Sequence, residues 1–111
     1  YRATKNFTKA VEHYRRVLEI DPGYVWAANG LGMALAVDGK NEEALAAFRD
    51  AVRIAPEMAP GYLNLAVHLE RMKRFPEAVE AYEKFLELSS EEEFAHQREI
   101  AAAAIKRLKA G

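Results

Sequence analysis

The chain has 111 residues, half of them hydrophobic and 30% charged, which is enough for a buried core and too apolar for a disordered tail. Sixteen basic residues against seventeen acidic ones leave a net charge of −1, so the chain offers no electrostatic attraction to a nucleic acid. The absence of cysteine excludes disulfides and thiolate chemistry and leaves the compartment open.

Taken in order, Phe7 to Ile20 carry Ala10, Tyr14, Val17 and Leu18 on one stripe and Glu12, Arg15, Arg16 and Glu19 elsewhere, which predicts an amphipathic helix with one wet face. A remnant of another helix is expected at Tyr1 to Lys5. The chain starts without a methionine inside this patterned region and is read as a piece of something longer. Pro22 and Gly23 interrupt the pattern, and Asp21 is the expected N-cap of the second helix. That helix, Val25 to Val37, reads VWAANGLGMALAV, and Asn29 is its one side chain with strong hydrogen-bonding demands. It spans roughly 20 Å, too short for a bilayer, so protein should cover most of it. Gly39 suits a left-handed helix terminus, and Glu42 and Glu43 favour the first turn of a helix running to about Ile54.

Pro56 and Pro60 punctuate the next start, with a helix over Tyr62 to Arg71. The turn at Lys73 and Arg74 has no glycine. Pro76 fits the first turn of the following helix, which should bury Ala78, Val79, Tyr82, Phe85 and Leu86, with Glu80 and Lys84 as a surface pair. Ser90 with Glu93 reads as a capping box. It opens a last helix to about Leu108, with Ile100, Ala101, Ala104, Ile105 and Leu108 facing inward. Six helices joined by short turns give antiparallel hairpins.

A period unites these elements. Ala10, Ala44 and Ala78 recur at one fixed interval (44 − 10 = 34 and 78 − 44 = 34), and each is followed one helical turn later by an aromatic: Tyr14, Phe48, Tyr82. The same shift relates Leu18, Val52 and Leu86, then Ile20, Ile54 and Leu88, and also Pro22 and Pro56. Hairpins of this kind bury their apolar faces by stacking on neighbours. The fold class is therefore all-α: an α-solenoid with partial repeat 1–22, full repeats 23–56 and 57–90, and a C-terminal capping helix over 91–110.

These residues resemble the tetratricopeptide repeat, a 34-residue helix–turn–helix with W-x₂-L-G-x₂-Y, then A-x₃-F, then P. In the second copy Leu31, Gly32, Ala44, Phe48, Ala51 and Pro56 match, while Ala28 replaces the first aromatic and Leu35 the tyrosine. In the third copy Tyr62, Leu65, Ala78 and Tyr82 match, with Ala66 for the glycine and Ser90 for the proline. Ala10, Tyr14 and Pro22 match in the first copy, and Tyr1 falls at the first-helix tyrosine.

The resemblance implies a single domain over 1–111, a right-handed superhelix, and a concave groove that binds a peptide or protein segment without catalysis. The implied groove positions are Trp26, Asn29, Met33 and Ala36, then Pro60, Leu63, Asn64, Val67 and Glu70, then Phe94, Gln97, Arg98 and Ala101. One subtype clamps a C-terminal carboxylate with two lysines, two asparagines and an arginine. Asn64 and Arg98 match that set, but Asn29, Met33 and Phe94 stand where both lysines and the first asparagine belong, so most of the charge-assisted bonds are missing.

A cluster of large apolar residues on an open face marks an interaction site, which makes Trp26, Met33, Leu63, Val67 and Phe94 the main anchors. Asn29, Asn64, Gln97 and Arg98 are the polar contacts. The partner is expected to be a peptide or protein; neither a nucleic acid nor a membrane-inserted state is expected. Self-association through the Tyr14 and Val17 side of the first helix is the alternative, and an accessory role in a larger enzyme is a third reading. His13, His68 and His96 lack ligand spacing, Gly30 and Gly32 lie within a helix rather than a phosphate loop, and Ser89 and Ser90 have no histidine–acid context. No metal, cofactor or catalytic group is expected.

Overall fold

The computed structural model describes residues 3–110, with side chains described from Thr8 onward. Six helices follow one another: α1 (Ala3–Ile20), α2 (Val25–Val37), α3 (Asn41–Ile54), α4 (Ala59–Arg71), α5 (Phe75–Leu88) and α6 (Glu91–Ala110). They fall into two compact units, Tyr1–Pro56 and Glu57–Gly111.

In the first unit, α2 packs against both α1 and α3. Its core is built from small residues and leucines: Ala27, Ala28, Leu31, Ala34 and Leu35 on α2, with Ala44, Leu45, Phe48 and Ala51 on α3, all buried. Two glycines set the closeness of these contacts. A Cβ at Gly32 would stand 2.7 Å from Cε1 of Phe48, and one at Gly30 would stand 2.5 Å from Cζ of Tyr14. Gly30 therefore makes room for the aromatic ring of α1, and Gly32 for that of α3. The apolar stripe of α1 is less closed. Ala10, Val11, Tyr14 and Val17 are half-buried, whereas their counterparts one repeat later, Ala44, Leu45, Phe48 and Ala51, are buried.

The turn from α2 to α3 is a Schellman motif. Gly39 has φ +84°, its N–H donates to Ala36 O at 3.1 Å, and the Lys40 N–H reaches back to Leu35 O at 2.9 Å. The link from α1 to α2 departs from expectation. Tyr24, not Asp21, occupies the N-cap of α2, and no side chain caps it. Asp21 instead folds its own turn, its Oδ1 accepting from the Gly23 N–H at 3.2 Å. Ala3 to Lys5 belong to α1 itself rather than to a preceding helix, and Tyr1 lies outside the described residues.

In the second unit α5 packs against both α4 and α6. Leu65, Ala66, His68, Leu69, Ala78, Ala81, Tyr82, Phe85, Ala101 and Ala104 are buried. The α4–α5 turn repeats the Schellman pattern with Lys73 at φ 63°, its N–H donating to Glu70 O and that of Arg74 to Leu69 O, both at 2.9 Å. α4 begins at Ala59, ahead of the expected Tyr62, because Pro60 sits in its first turn.

The Ser90 cap forms, with the Glu93 N–H donating to Oγ at 3.3 Å. Phe94 then leaves helical geometry (φ −127°, ψ 31°), so α6 is kinked after its first turn. Ala101 and Ala104 face inward as expected and Ile105 and Leu108 are half-buried, but Ile100 is 47% exposed. Ile100 stands one residue, about 100°, from Ala101, at the edge of the stripe that Ala101, Ala104, Ile105 and Leu108 form, and that edge faces water. Lys84 pairs with Glu87 at 3.6 Å rather than with the expected Glu80.

Candidate peptide-binding surface

In the first unit the surface is one row on α2. Trp26 is 57% exposed, Met33 55% and Val37 50%. At 100° per residue, positions seven and eleven beyond Trp26 fall within about 20° of it, so the three side chains line up over roughly 16 Å. Not one residue of α2 is charged. Val37 is absent from the groove positions that the sequence implies; Ala36, which is among them, is buried, and the residue after it faces water. The i+11 spacing of Val37 from Trp26 is the signal that could have found it. Tyr24 (47%) and Ile20 (81%), just before the helix, add further exposed apolar area.

Asn29 shares the face of Trp26 (three positions before) and Met33 (four after). It is nevertheless buried, at 6% exposure, and its Oδ1 has no hydrogen-bond partner among the described residues.

In the second unit Leu63, Asn64 and Val67 lie on α4, with Val67 42% exposed and the other two half-buried. On α6, Gln97 is half-buried. Phe94, also half-buried, rests edge-to-face on Phe85, with ring centroids 5.8 Å apart at 76°. That contact gives Phe94 a packing role besides any surface role.

Arg98 is engaged within the unit: its Nη1 donates to Leu86 O at 2.6 Å, to Ser89 O at 2.9 Å and to Ser89 Oγ at 3.0 Å. It satisfies carbonyls at the end of α5 that no helical N–H reaches. A cleft of about 490 Å³ beside it is also lined by Glu91 and Glu99. Two carboxylates next to the arginine disfavour an anionic ligand there.

Glu70, a groove position implied by the sequence, anchors a network across three helices. The Tyr82 hydroxyl donates to its Oε1 at 2.8 Å and Arg107 Nη1 to its Oε2 at 2.6 Å. The Arg107 hydrogen bond holds the Glu70 carboxyl below its ordinary range. Burial, and then the bond to Glu70, push the Tyr82 phenol well above its usual range. The same bond raises Arg107. Among the described residues no three His, Cys, Asp or Glu side chains are placed to hold a metal ion, and no helix is long and apolar enough to cross a membrane.

Comparisons agree with this architecture. A tetratricopeptide repeat family model matches residues 1–59 and again 29–93. The STIP1 homolog of Dictyostelium discoideum is 31% identical over 87 residues, covering 78% of this chain and 15% of that protein. A probable UDP-N-acetylglucosamine–peptide N-acetylglucosaminyltransferase, SPINDLY, of Hordeum vulgare is 31% identical over 91 residues, covering 76% of this chain and 10% of that protein. The chain thus spans less than a fifth of the length of either relative. Among solved structures, the Yersinia enterocolitica type III secretion chaperone SycD, in complex with a peptide of the translocator YopD, superposes with a TM-score of 0.88 at 14% identity, covering 98% of this chain and 84% of that one. The TPR2B domain of yeast Sti1, in its complex with pHsp70, gives 0.84 at 17% identity, covering 99% and 88%.

Proposed function

Since the chain belongs to the tetratricopeptide repeat family, we propose that it is a protein-interaction module that receives a peptide or protein segment on the face of α2 carrying Trp26 and Met33 or on that of α4 carrying Leu63 and Val67. The observation that carries this reading is the row of large apolar side chains left half-exposed on α2, whose other faces are buried. A helix that needed only to be covered would not present tryptophan and methionine to water. The SycD and Sti1 structures lend support, since each of those proteins is seen with a peptide or protein partner. A carboxylate-clamping mode is disfavoured by the missing lysines and by the engagement of Arg98 with Leu86 and Ser89.

Selection of binders from a random peptide library displayed on phage tests the reading. Peptides are expected whose capture falls at least about tenfold with Trp26→Ala or Leu63→Glu. A library that yields only peptides indifferent to both substitutions overturns it.

Two further readings have support of their own. The half-open stripe of α1 favours self-association, and concentration-dependent light scattering abolished by Val11→Glu is its signature. The match to the Hordeum vulgare transferase favours a substrate-selecting role within a larger enzyme, in which the repeats bind and do not catalyse.

A further inference from the structure

Within the second unit, the last helix presents a long face to water. Beyond the kink at Phe94, Ala95, Glu99, Ala102, Ala103 and Lys106 are all exposed. At 100° per residue they fall within about 60° of Glu99, on the side of α6 opposite the buried Ala101 and Ala104. We propose that this face pairs with the same face of a second copy of the chain. The two α6 helices run antiparallel, with Glu99 of each copy beside Lys106 of the other. None of the four side chains named above for peptide binding takes part.

Charge is the first support. Glu99 and Lys106 lie about 10 Å apart by helical rise, too far to pair with one another, and neither has an ion-pair or hydrogen-bond partner among the described residues. A two-fold axis passing between Ala102 and Ala103 sets position 99 level with position 106 of the other copy. Both cross-pairs then form at once, as a self-complementary two-fold contact requires. In a parallel pairing, Glu99 would meet Glu99 and Lys106 would meet Lys106, so charge fixes the direction. The ends of the helix agree: its first turn carries Glu91, Glu92 and Glu93, and its last turn Arg107 and Lys109. Antiparallel packing lays the acidic end of one copy toward the basic end of the other.

Shape is the second, independent support. Alanines at 95, 102 and 103 let two helix backbones approach closely. A cleft of about 490 Å³ opens along one edge of the face, toward Leu86 of α5, and its lining includes Ala95, Arg98, Glu99 and Ala102. The Lys106 side chain of the second copy enters this cleft. Its aliphatic stem lies along the alanines and Leu86, and its ammonium meets the Glu99 carboxylate. Arg98 donates to the Leu86 and Ser89 carbonyls, and Glu91 adds a second carboxylate to the lining, so the cleft accepts a cation. One helix pair is a small interface, so the dimer is weak and depends on concentration.

Sedimentation velocity over a concentration series tests the proposal, with circular dichroism confirming that each variant keeps its helices. The wild type is expected to dimerise, and less so as salt rises. Glu99→Lys and Lys106→Glu change exposed positions, which leaves the fold intact, and each turns both attractions into repulsions. Either variant alone should associate at least about tenfold more weakly than the wild type. Mixed together, the two variants carry opposite charges at every facing position, and they should pair with each other about as well as the wild type pairs with itself.

A wild type that stays monomeric, single variants that dimerise undiminished, or a mixture that stays monomeric each overturns the proposal. Loss of the dimer in Val11→Glu, with both charge variants unaffected, assigns association to the α1 stripe and overturns it too.

Discussion

Lys73 and Asn29 each hold an unfavourable local arrangement, and the cost has opposite meanings. Lys73 occupies the left-handed position that glycine fills at Gly39, in the same Schellman turn of the next repeat. An L side chain there costs about 1 kcal/mol or more, and the exposed position of Lys73 buries little to offset it. Lys73→Gly is expected to stabilise the chain by about 0.5–1 kcal/mol in urea denaturation, and Gly39→Lys to destabilise it by a similar amount. At Asn29 the cost is an unpaired buried oxygen. Asn29→Leu keeps the fork at Cγ and removes that penalty, so, less the cost of its added bulk, it should raise stability by at most about 1 kcal/mol while weakening ligand binding. A variant that loses stability instead would show that the carboxamide is satisfied in the free protein.

At the scale of elements, α6 illustrates both what the sequence makes legible and what it hides. Its start is readable, because a serine three positions before a glutamate is a local signal and the bond it implies is present. The kink at Phe94 is not, because it accompanies a ring seated on Phe85, a contact no spacing within α6 announces. Ile100 faces water against expectation because it stands at the edge of the stripe formed by Ala101, Ala104 and Leu108, about 100° from Ala101. The row on α2 is half legible: periodicity places Trp26 and Met33, but burial of Asn29 depends on how closely the neighbouring side chains cover it. Arg98 is the least legible, since its carbonyl partners belong to the end of a different helix.

The far half of α6 is held by charge, through Arg107 to Glu70 and Lys109 to Glu83 at 3.2 Å. Because the folded state lowers the Glu70 pKa below its ordinary value of 4.5, its ionised form stabilises the fold above that pH. The contribution is lost as pH falls through the lower, folded value. Glu70→Gln should therefore melt below the wild type at pH 7, and the two melting curves should converge in acid. A gap that does not narrow as the pH falls would assign the role of Glu70 to its shape rather than its charge.

For the whole molecule, secondary structure and optical signal are unevenly placed. Helices account for most of the described residues, whereas the single tryptophan stands more than half exposed. Thermal or urea unfolding should abolish the helical circular-dichroism signal with only a small red shift of tryptophan emission. A large shift would mean that Trp26 is covered in solution, by a second copy or by a folded-back segment. The repeat period makes the order of helices and turns readable from Phe7 onward, because each hairpin repeats one solution to the same packing problem. Partner chemistry has no such period. It resides in the residues by which one copy differs from the next.

The two glycines of α2 bear on how that helix is oriented. Gly30 receives a ring from α1, and Gly32, two positions on, receives one from α3. The two recesses lie about 160° apart around the axis, since each step turns it by about 100°. They act as opposed keyways on a shaft: turning α2 by even one residue would drive a Cβ into one ring or empty the recess of the other. The azimuth of Trp26, Met33 and Val37 is thus locked by shape alone, with no polar bond spent on it. A ligand meeting that row meets a surface already set, and its affinity is not reduced by the cost of orienting it.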